Sequence, residues 1–319
     1  MKILITGAAG FVGGHLIEAL KDNCKNEISA FVLNEKEAGR VNLPKENIYL
    51  VDITNVSKVK DTVKEVRPDM VFHLAAQSSV GLSWKHPALT YSVNITGTVN
   101  ILEALKEFSP NARILLVGSA EQYGSVAIDE QPIKETQHLV GNNPYSVSKM
   151  AQEAAARLFL KDSNLQIIRV RAFNHIGAGQ ETKFVIPNWC SQVISMEKDL
   201  KKDSCLFVGN INVKRDFTDV RDIVRAYILL AENGKSGEIY NVGSGISHSL
   251  EDVLKLIKEN SFRKDITWKV DESRLRPSDI EELCADVTKL KSTVDWEPVY
   301  TLEQSVKWIM EEMRKTWNS

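Results

Sequence analysis

Apolar residues follow two rhythms along this chain. Up to about residue 173, short apolar runs alternate with helix-length amphipathic stretches. The runs are "KILIT" (2–6), "ISAFVL" (28–33), "IYLV" (48–51), "MVFHLA" (70–75), "RILLVG" (113–118) and "QIIRVRAF" (166–173). They are rich in β-branched residues, and continuous apolar strands separated by helices predict a parallel sheet covered on both faces. The fold class read from this is α/β, with a doubly wound parallel sheet. Ligands of such sheets bind outside the strands' carboxyl ends, at the point where the strand order reverses. That rule puts "GSAEQYG" (118–124), which closes the fifth run with a hydroxyl and a carboxylate, at the expected site.

Beyond residue 175 the runs stand apart ("CLFVG", "IYNVG", "ITWKV") and the links carry Gly, Asn, Pro and charge. One helix is clear there. "TDVRDIVRAYILLAE" aligns Val220, Ile223, Val224, Tyr227 and Leu230 on one face, with Thr218 or Asp219 as N-cap. The expected organisation is a large domain over 1–175 and a smaller α/β substrate lobe over 176–319, with some of the later segments returning to the large domain.

At 319 residues the chain is long for one core, which favours two packed lobes. Its net charge of −2 and the lack of a lysine-arginine block give no pull toward nucleic acid or an anionic membrane. No apolar stretch is long enough to cross a bilayer. The first strand starts at Lys2, leaving no room for a signal peptide, so a cytoplasmic globular protein is expected. Cys24, Cys190, Cys205 and Cys284 are far apart in sequence and form no metal or redox pair, so no metal is expected.

Chemistry enters with "TGAAGFVGGHL", directly after the first strand and opening a helix. Gly7, Gly10 and Gly13 permit a tight turn, close approach of backbone to a pyrophosphate, and helix-to-strand packing. The helix N-terminus adds amide donors and a favourable dipole. The reading is a dinucleotide site. An acid at the end of the second strand would bind a ribose 2′-hydroxyl and repel a 2′-phosphate. Asn34 stands there, with Glu35 adjacent and Lys36 and Arg40 near, which favours NADP(H) and leaves NAD(H) open.

"NNPYSVSK" supplies a second motif. Tyr145 and Lys149 are four residues apart behind Pro144, one turn apart on one helical face. A phenol titrates near ~10 and is a poor neutral-pH catalyst, but a nearby ammonium and a cationic nicotinamide both favour its phenolate. Ser119, from the end of the fifth strand, can hydrogen-bond the same substrate oxygen.

Together, the glycine loop, "HLAAQSSV", "GSAEQYG" and "PYSVSK" resemble the extended short-chain dehydrogenase/reductase family that modifies nucleotide sugars. "RAFNHIGAGQ", "VKRDFTDVRDIVRAY", "YNVGSG", "RLRPSDIEELCAD" and "KLKSTVDWEP" extend the resemblance over essentially the whole chain. It implies a Rossmann domain with a small carboxyl-terminal lobe, dimeric or tetrameric through helix pairing. It implies Ser119, Tyr145 and Lys149 as the catalytic set, with Lys149 also on the nicotinamide ribose. Phe11 and Val12 of the glycine loop would meet the cofactor, Asp52 and Ile53 would flank its adenine, and Leu74, Ala75 and Ala76 would line it. Asn174, Arg215 and Arg276 would hold a sugar-nucleotide diphosphate, as forked guanidinium donors suit it. Asp279 competes for Arg276 and belongs to the same candidate set.

Within the family, "NHIGAGQ" and "GSAEQYG" are most similar to the reductases that turn GDP-4-keto-6-deoxy-D-mannose into GDP-D-rhamnose. That implies hydride transfer to the C4 ketone, with Tyr145 protonating the alkoxide. Three rivals share the apparatus: a GDP-mannose 4,6-dehydratase, a nucleotide-sugar 4-epimerase, and a regulator that binds dinucleotide without turnover. Glu121 stands where the GDP-type dehydratases carry their C5 base. It is read here as a substrate contact or a turn-holder instead.

Overall fold

The computed structural model describes residues 1–199, 203–274 and 280–316. All six early runs form strands: β1 Lys2–Thr6, β2 Glu27–Val32, β3 Ile48–Leu50, β4 Met70–His73, β5 Arg113–Ser119 and β6 Gln166–Ala172. Between them lie α1 Phe11–Lys21, α2 Glu35–Ala38, α3 Val56–Val66, α4 Val80–Lys85, α5 Pro87–Tyr91, α6 Gly97–Phe108 and α7 Pro144–Asp162. A π-helical turn, Ser92–Thr96, joins α5 to α6.

The second half runs β7 Asn174–Ile176, α8 Val185–Lys198, β8 Cys205–Val208, β9 Lys214–Asp219, α9 Val220–Asn233 and β10 Ile239–Val242. It ends with β11 Ser247–Ser249, α10 Leu250–Glu259, β12 Thr267–Val270, β13 Glu282–Leu283, α11 Thr288–Val294 and α12 Leu302–Thr316.

The main sheet has seven strands in the order β10-β6-β5-β4-β1-β2-β3, every neighbouring pair parallel. The order reverses between β1 and β4, so a crevice opens at their carboxyl ends. This is the doubly wound Rossmann α/β arrangement. The three later runs read as standing apart do not. β8 and β12 pair in parallel with each other, and β10 adds to β6 as the seventh strand. Pairing follows from burial: Tyr240 and Val242 are almost wholly enclosed, and their backbone groups need partners there.

Apolar layers cover both sheet faces. One holds Leu16 and Ile17 of α1, Val224, Tyr227 and Leu230 of α9, and Trp296. The other holds Val59 and Val63 of α3, Ile101 and Leu105 of α6, and Ala156 of α7. The expected apolar face of α9 is buried at all five positions, and Asp219 is its N-cap, accepting the Arg221 amide. A separate core packs α8, α10 and α12 around Trp189, Leu206, Val253 and Ile309. All four cysteines are free thiols. Among the described residues, no helix is long and apolar enough to cross a membrane.

Candidate active site

The glycine loop is a cradle that side chains would fill. Gly7 has φ +68°, and a Cβ there would lie 2.8 Å from backbone atoms of Ala75. A Cβ on Gly13 would lie 2.6 Å from the Ala8 carbonyl oxygen, so α1 packs directly on the loop. Gly10 is the N-cap of α1, whose first turn carries no acid. The amides of Phe11, Val12 and Gly13 therefore lack helical acceptors, as at any helix start. Across the crevice, the Leu74 amide donates to the Thr6 carbonyl at 3.3 Å and the Ala75 amide to Thr6 Oγ1 at 3.2 Å. Ala76 continues this half-buried wall.

At the other end of the crevice, Ile53 is buried against Gly97, and its carbonyl accepts Asn100 Nδ2 at 2.9 Å. The Asp52 carboxylate folds its own turn by accepting the Thr54 amide and hydroxyl. Asn34 caps α2, accepting the Glu37 amide at 3.0 Å. Lys36 and Arg40 beside it are exposed. This glycine-lined groove at a helix N-terminus fits a dinucleotide's pyrophosphate.

Ser119 ends β5 and is buried. Its amide donates to Gln122 Oε1 at 2.8 Å, and its Oγ accepts the Glu121 amide at 3.2 Å, forming a capping box around the turn Ala120–Tyr123. Asn143 caps α7 and Pro144 opens it, which puts Tyr145 and Lys149 in its first turns. The Tyr145 phenol lies beside Ser119, near enough for the Ser119 hydroxyl to favour its phenolate. The three residues selected from sequence thus meet at the sheet's carboxyl edge.

Their electrostatics differ from the expectation in one respect. Burial pushes the Tyr145 phenol up to about 12; the neighbouring Ser119 hydroxyl lowers it and the Glu121 charge raises it. The Lys149 ammonium bonds the Val117 carbonyl at 2.8 Å and Gln152 Oε1 at 2.9 Å. Burial in turn pushes Lys149 down to about 7. His73 lies wholly buried nearby, bonded to Thr6 and Thr98, and burial takes it down to about 3, so it stays neutral.

Past the turn after β5, where Glu121 stands, lies a cleft of about 330 Å³. Glu121, Asn174 and Arg215 line it, as do Lys183, Asn188 and Arg274. Arg215 donates to the Ile280 carbonyl at 2.8 Å, tying β9 to the chain before β13. The Glu121 carboxylate accepts Asn143 Nδ2 at 3.2 Å. The turn itself is held by Ser119 and Gln122, so the turn-holding reading of Glu121 gives way to that of a group facing the cleft. Arg276 and Asp279 lie outside the described residues. Lys183 and Asn188 belong to "KFVIPNW" (183–189), the approach to α8 and its first turn. Arg274 was missed, though it stands two residues before Arg276 in the same run. Gln122 and Gln152 were missed too.

Comparison with known proteins follows this geometry. The family profile described as GDP-mannose 4,6 dehydratase matches residues 4–309. The chain is 32% identical over 311 residues to GDP-6-deoxy-D-mannose reductase of Pseudomonas aeruginosa, covering 98% of this chain and 96% of that protein. It is 29% identical to GDP-6-deoxy-D-talose 4-dehydrogenase of Aggregatibacter actinomycetemcomitans, over 99% of this chain and 97% of that one. Among solved structures, RMD from Pseudomonas aeruginosa complexed with NADPH superposes with a TM-score of 0.86 at 29% identity, covering 99% of this chain and 100% of that chain.

Proposed function

The chain belongs to the GDP-mannose 4,6 dehydratase family, and we propose that it is a nucleotide-sugar 4-ketoreductase, turning GDP-4-keto-6-deoxy-D-mannose into GDP-D-rhamnose. It is an NAD(P)-dependent oxidoreductase of the extended short-chain type. The observation that carries the reading is the meeting of Ser119 and Tyr145 at the end of β5, with Lys149 one turn along α7, beside a cleft lined by Glu121 and three cationic side chains.

The dinucleotide, when bound, supplies the hydride. The glycine loop would hold its pyrophosphate, Phe11 and Val12 its near side, Asp52 and Ile53 its adenine end, and Leu74, Ala75 and Ala76 its other wall. NADP(H) is favoured because Asn34 presents no carboxylate to a 2′-phosphate. The protein's own part is to orient and protonate. Ser119 and Tyr145 would both bond the C4 oxygen, and Tyr145, neutral at working pH, would give its proton to the developing alkoxide. A high phenol pKa suits a donor in the ground state; Lys149 would then stabilise the phenolate left behind. Asn174 and Arg215 would hold the diphosphate, with Lys183 and Arg274 as further cations. Arg276 remains a proposed contact on the strength of the resemblance.

Glu121 favours a second reading, a 4,6-dehydratase, because its carboxylate faces the cleft and a C5 base is needed there. The test of substrate class is a panel of GDP-, dTDP- and CDP-4-keto-6-deoxysugars with NADPH and with NADH, products identified by NMR. GDP-D-rhamnose from the GDP substrate with NADPH is expected; turnover confined to another nucleotide would refute the GDP assignment. A homo-oligomer is also proposed, supported by the exposed Trp84, Leu89 and Leu158 on α4, α5 and α7. Light scattering should give a dimer or tetramer mass.

A further inference from the structure

The Lys149 ammonium is held by two acceptors, and neither is charged. They are the Val117 carbonyl at 2.8 Å and Gln152 Oε1 at 2.9 Å. Gln152 is itself buried, and its amide nitrogen turns back to the same carbonyl at 3.4 Å. An ammonium has three N–H donors, so one is left over. Glu153, the carboxylate next along α7, is committed elsewhere. It binds Arg171 at 2.7 and 3.0 Å, accepts Gln122 Nε2 at 3.1 Å, and stands 4.0 Å from Arg169. Helix α7 thus gives its amide to the lysine and its carboxylate to the arginines of β6.

We propose that Gln152 is a positioning residue: with the Val117 carbonyl it fixes Lys149 Nζ through neutral acceptors, leaving the ammonium without a carboxylate partner and with one N–H for the dinucleotide ribose and the Tyr145 phenol. The proposal rests on the ketoreductase reading of Lys149. A carboxylate at residue 152 would neutralise the ammonium, and an apolar side chain would leave it one acceptor short. Burial already brings Lys149 to about 7, so either change matters near neutral pH. The other charged or titratable groups around it are Tyr145 and Glu153 on α7, His73 on β4, Arg169 on β6, and Glu121 past β5. His73 stays neutral and Arg169 charged, so neither masks the effect.

The experiment is the pH profile of kcat/KM for ketone reduction by NADPH-saturated enzyme, in wild type, Gln152→Leu, Gln152→Glu and Lys149→Met. Loss of the acceptor should move the basic limb down in Gln152→Leu, and the added carboxylate should move it up in Gln152→Glu, each by about one unit. A merely structural role would lower rates without opposite shifts. If Gln152→Leu does not fold, the near-isosteric Gln152→Glu decides alone, since its limb must rise. Limbs unmoved or moved the same way, with Lys149→Met inactive, overturn the positioning role only. Wild-type turnover in Lys149→Met overturns the reading of Lys149, and this proposal with it.

Discussion

On the dinucleotide side of the crevice the working surface is backbone. Gly7 and Gly13 leave less than 3 Å for any Cβ, and Thr6 clamps the facing wall through Leu74 and Ala75. On the side of the proposed sugar cleft the surface is side chains, drawn from the turn after β5, from β7, α8 and its approach, β9, and the chain before β13. A backbone-built site needs small residues at fixed spacing from one strand–helix junction. A side-chain-built site needs charge and amide groups from segments far apart in sequence. The first has little freedom to vary, and the second can change ligand by changing single side chains.

The comparison can be broken first at the chemistry between the two sides. Tyr145→Phe keeps the ring and its packing but loses the proton, so turnover should fall by about 10²–10⁴. Cofactor affinity should stay near wild type by fluorescence titration. Turnover like wild type would remove Tyr145 from the mechanism.

Arg215→Ala should weaken substrate binding by about 1.5–3 kcal/mol while NADPH binding holds. If instead Tm collapses and substrate affinity of the folded fraction is unchanged, the Ile280 tie is the whole role of Arg215. On the backbone side, Gly13→Ala pushes a methyl against the Ala8 carbonyl and should cost about 1–3 kcal/mol of stability. NADPH affinity should fall with it, and the sugar cleft should be untouched. Equal losses of both ligands would erase the distinction between the two sides.

Asn34→Asp is the smallest and sharpest change. Aspartate caps a helix as well as asparagine, so stability should hold. The new charge should turn preference toward NADH by about tenfold, read as the ratio of kcat/KM for the two cofactors. No change in that ratio would place the 2′-phosphate away from residue 34.

Legibility from sequence followed the same divide. The main-sheet strands were readable because burial on both faces makes them continuous apolar runs, and β1 matched to the residue. The glycine loop and the Ser119–Tyr145–Lys149 set were readable because each sits where a strand ends or a helix begins. What escaped were long-range partnerships. β10 reads as a lone four-residue strand, and only its pairing with β6 reveals that it completes the main sheet. Gln122 and Gln152 look like any helix or turn glutamine, since an uncharged amide gives no signal until its partners are known. Burial raises the Tyr145 phenol, a cost that residue spacing does not show. Spacing puts two side chains on one face, but it does not say how deeply both are buried.

The central claim is that this site reduces a ketone and does not form one by dehydration, and two incubations in D₂O test it most directly. With the GDP-4-keto-6-deoxysugar and NADPH, the account predicts cofactor consumption and a 6-deoxyhexose product without enzyme-dependent deuterium at C5. With GDP-mannose and oxidised cofactor, it predicts no 4-keto product. Sustained conversion of GDP-mannose to the 4-keto sugar would contradict it and make Glu121 the C5 base.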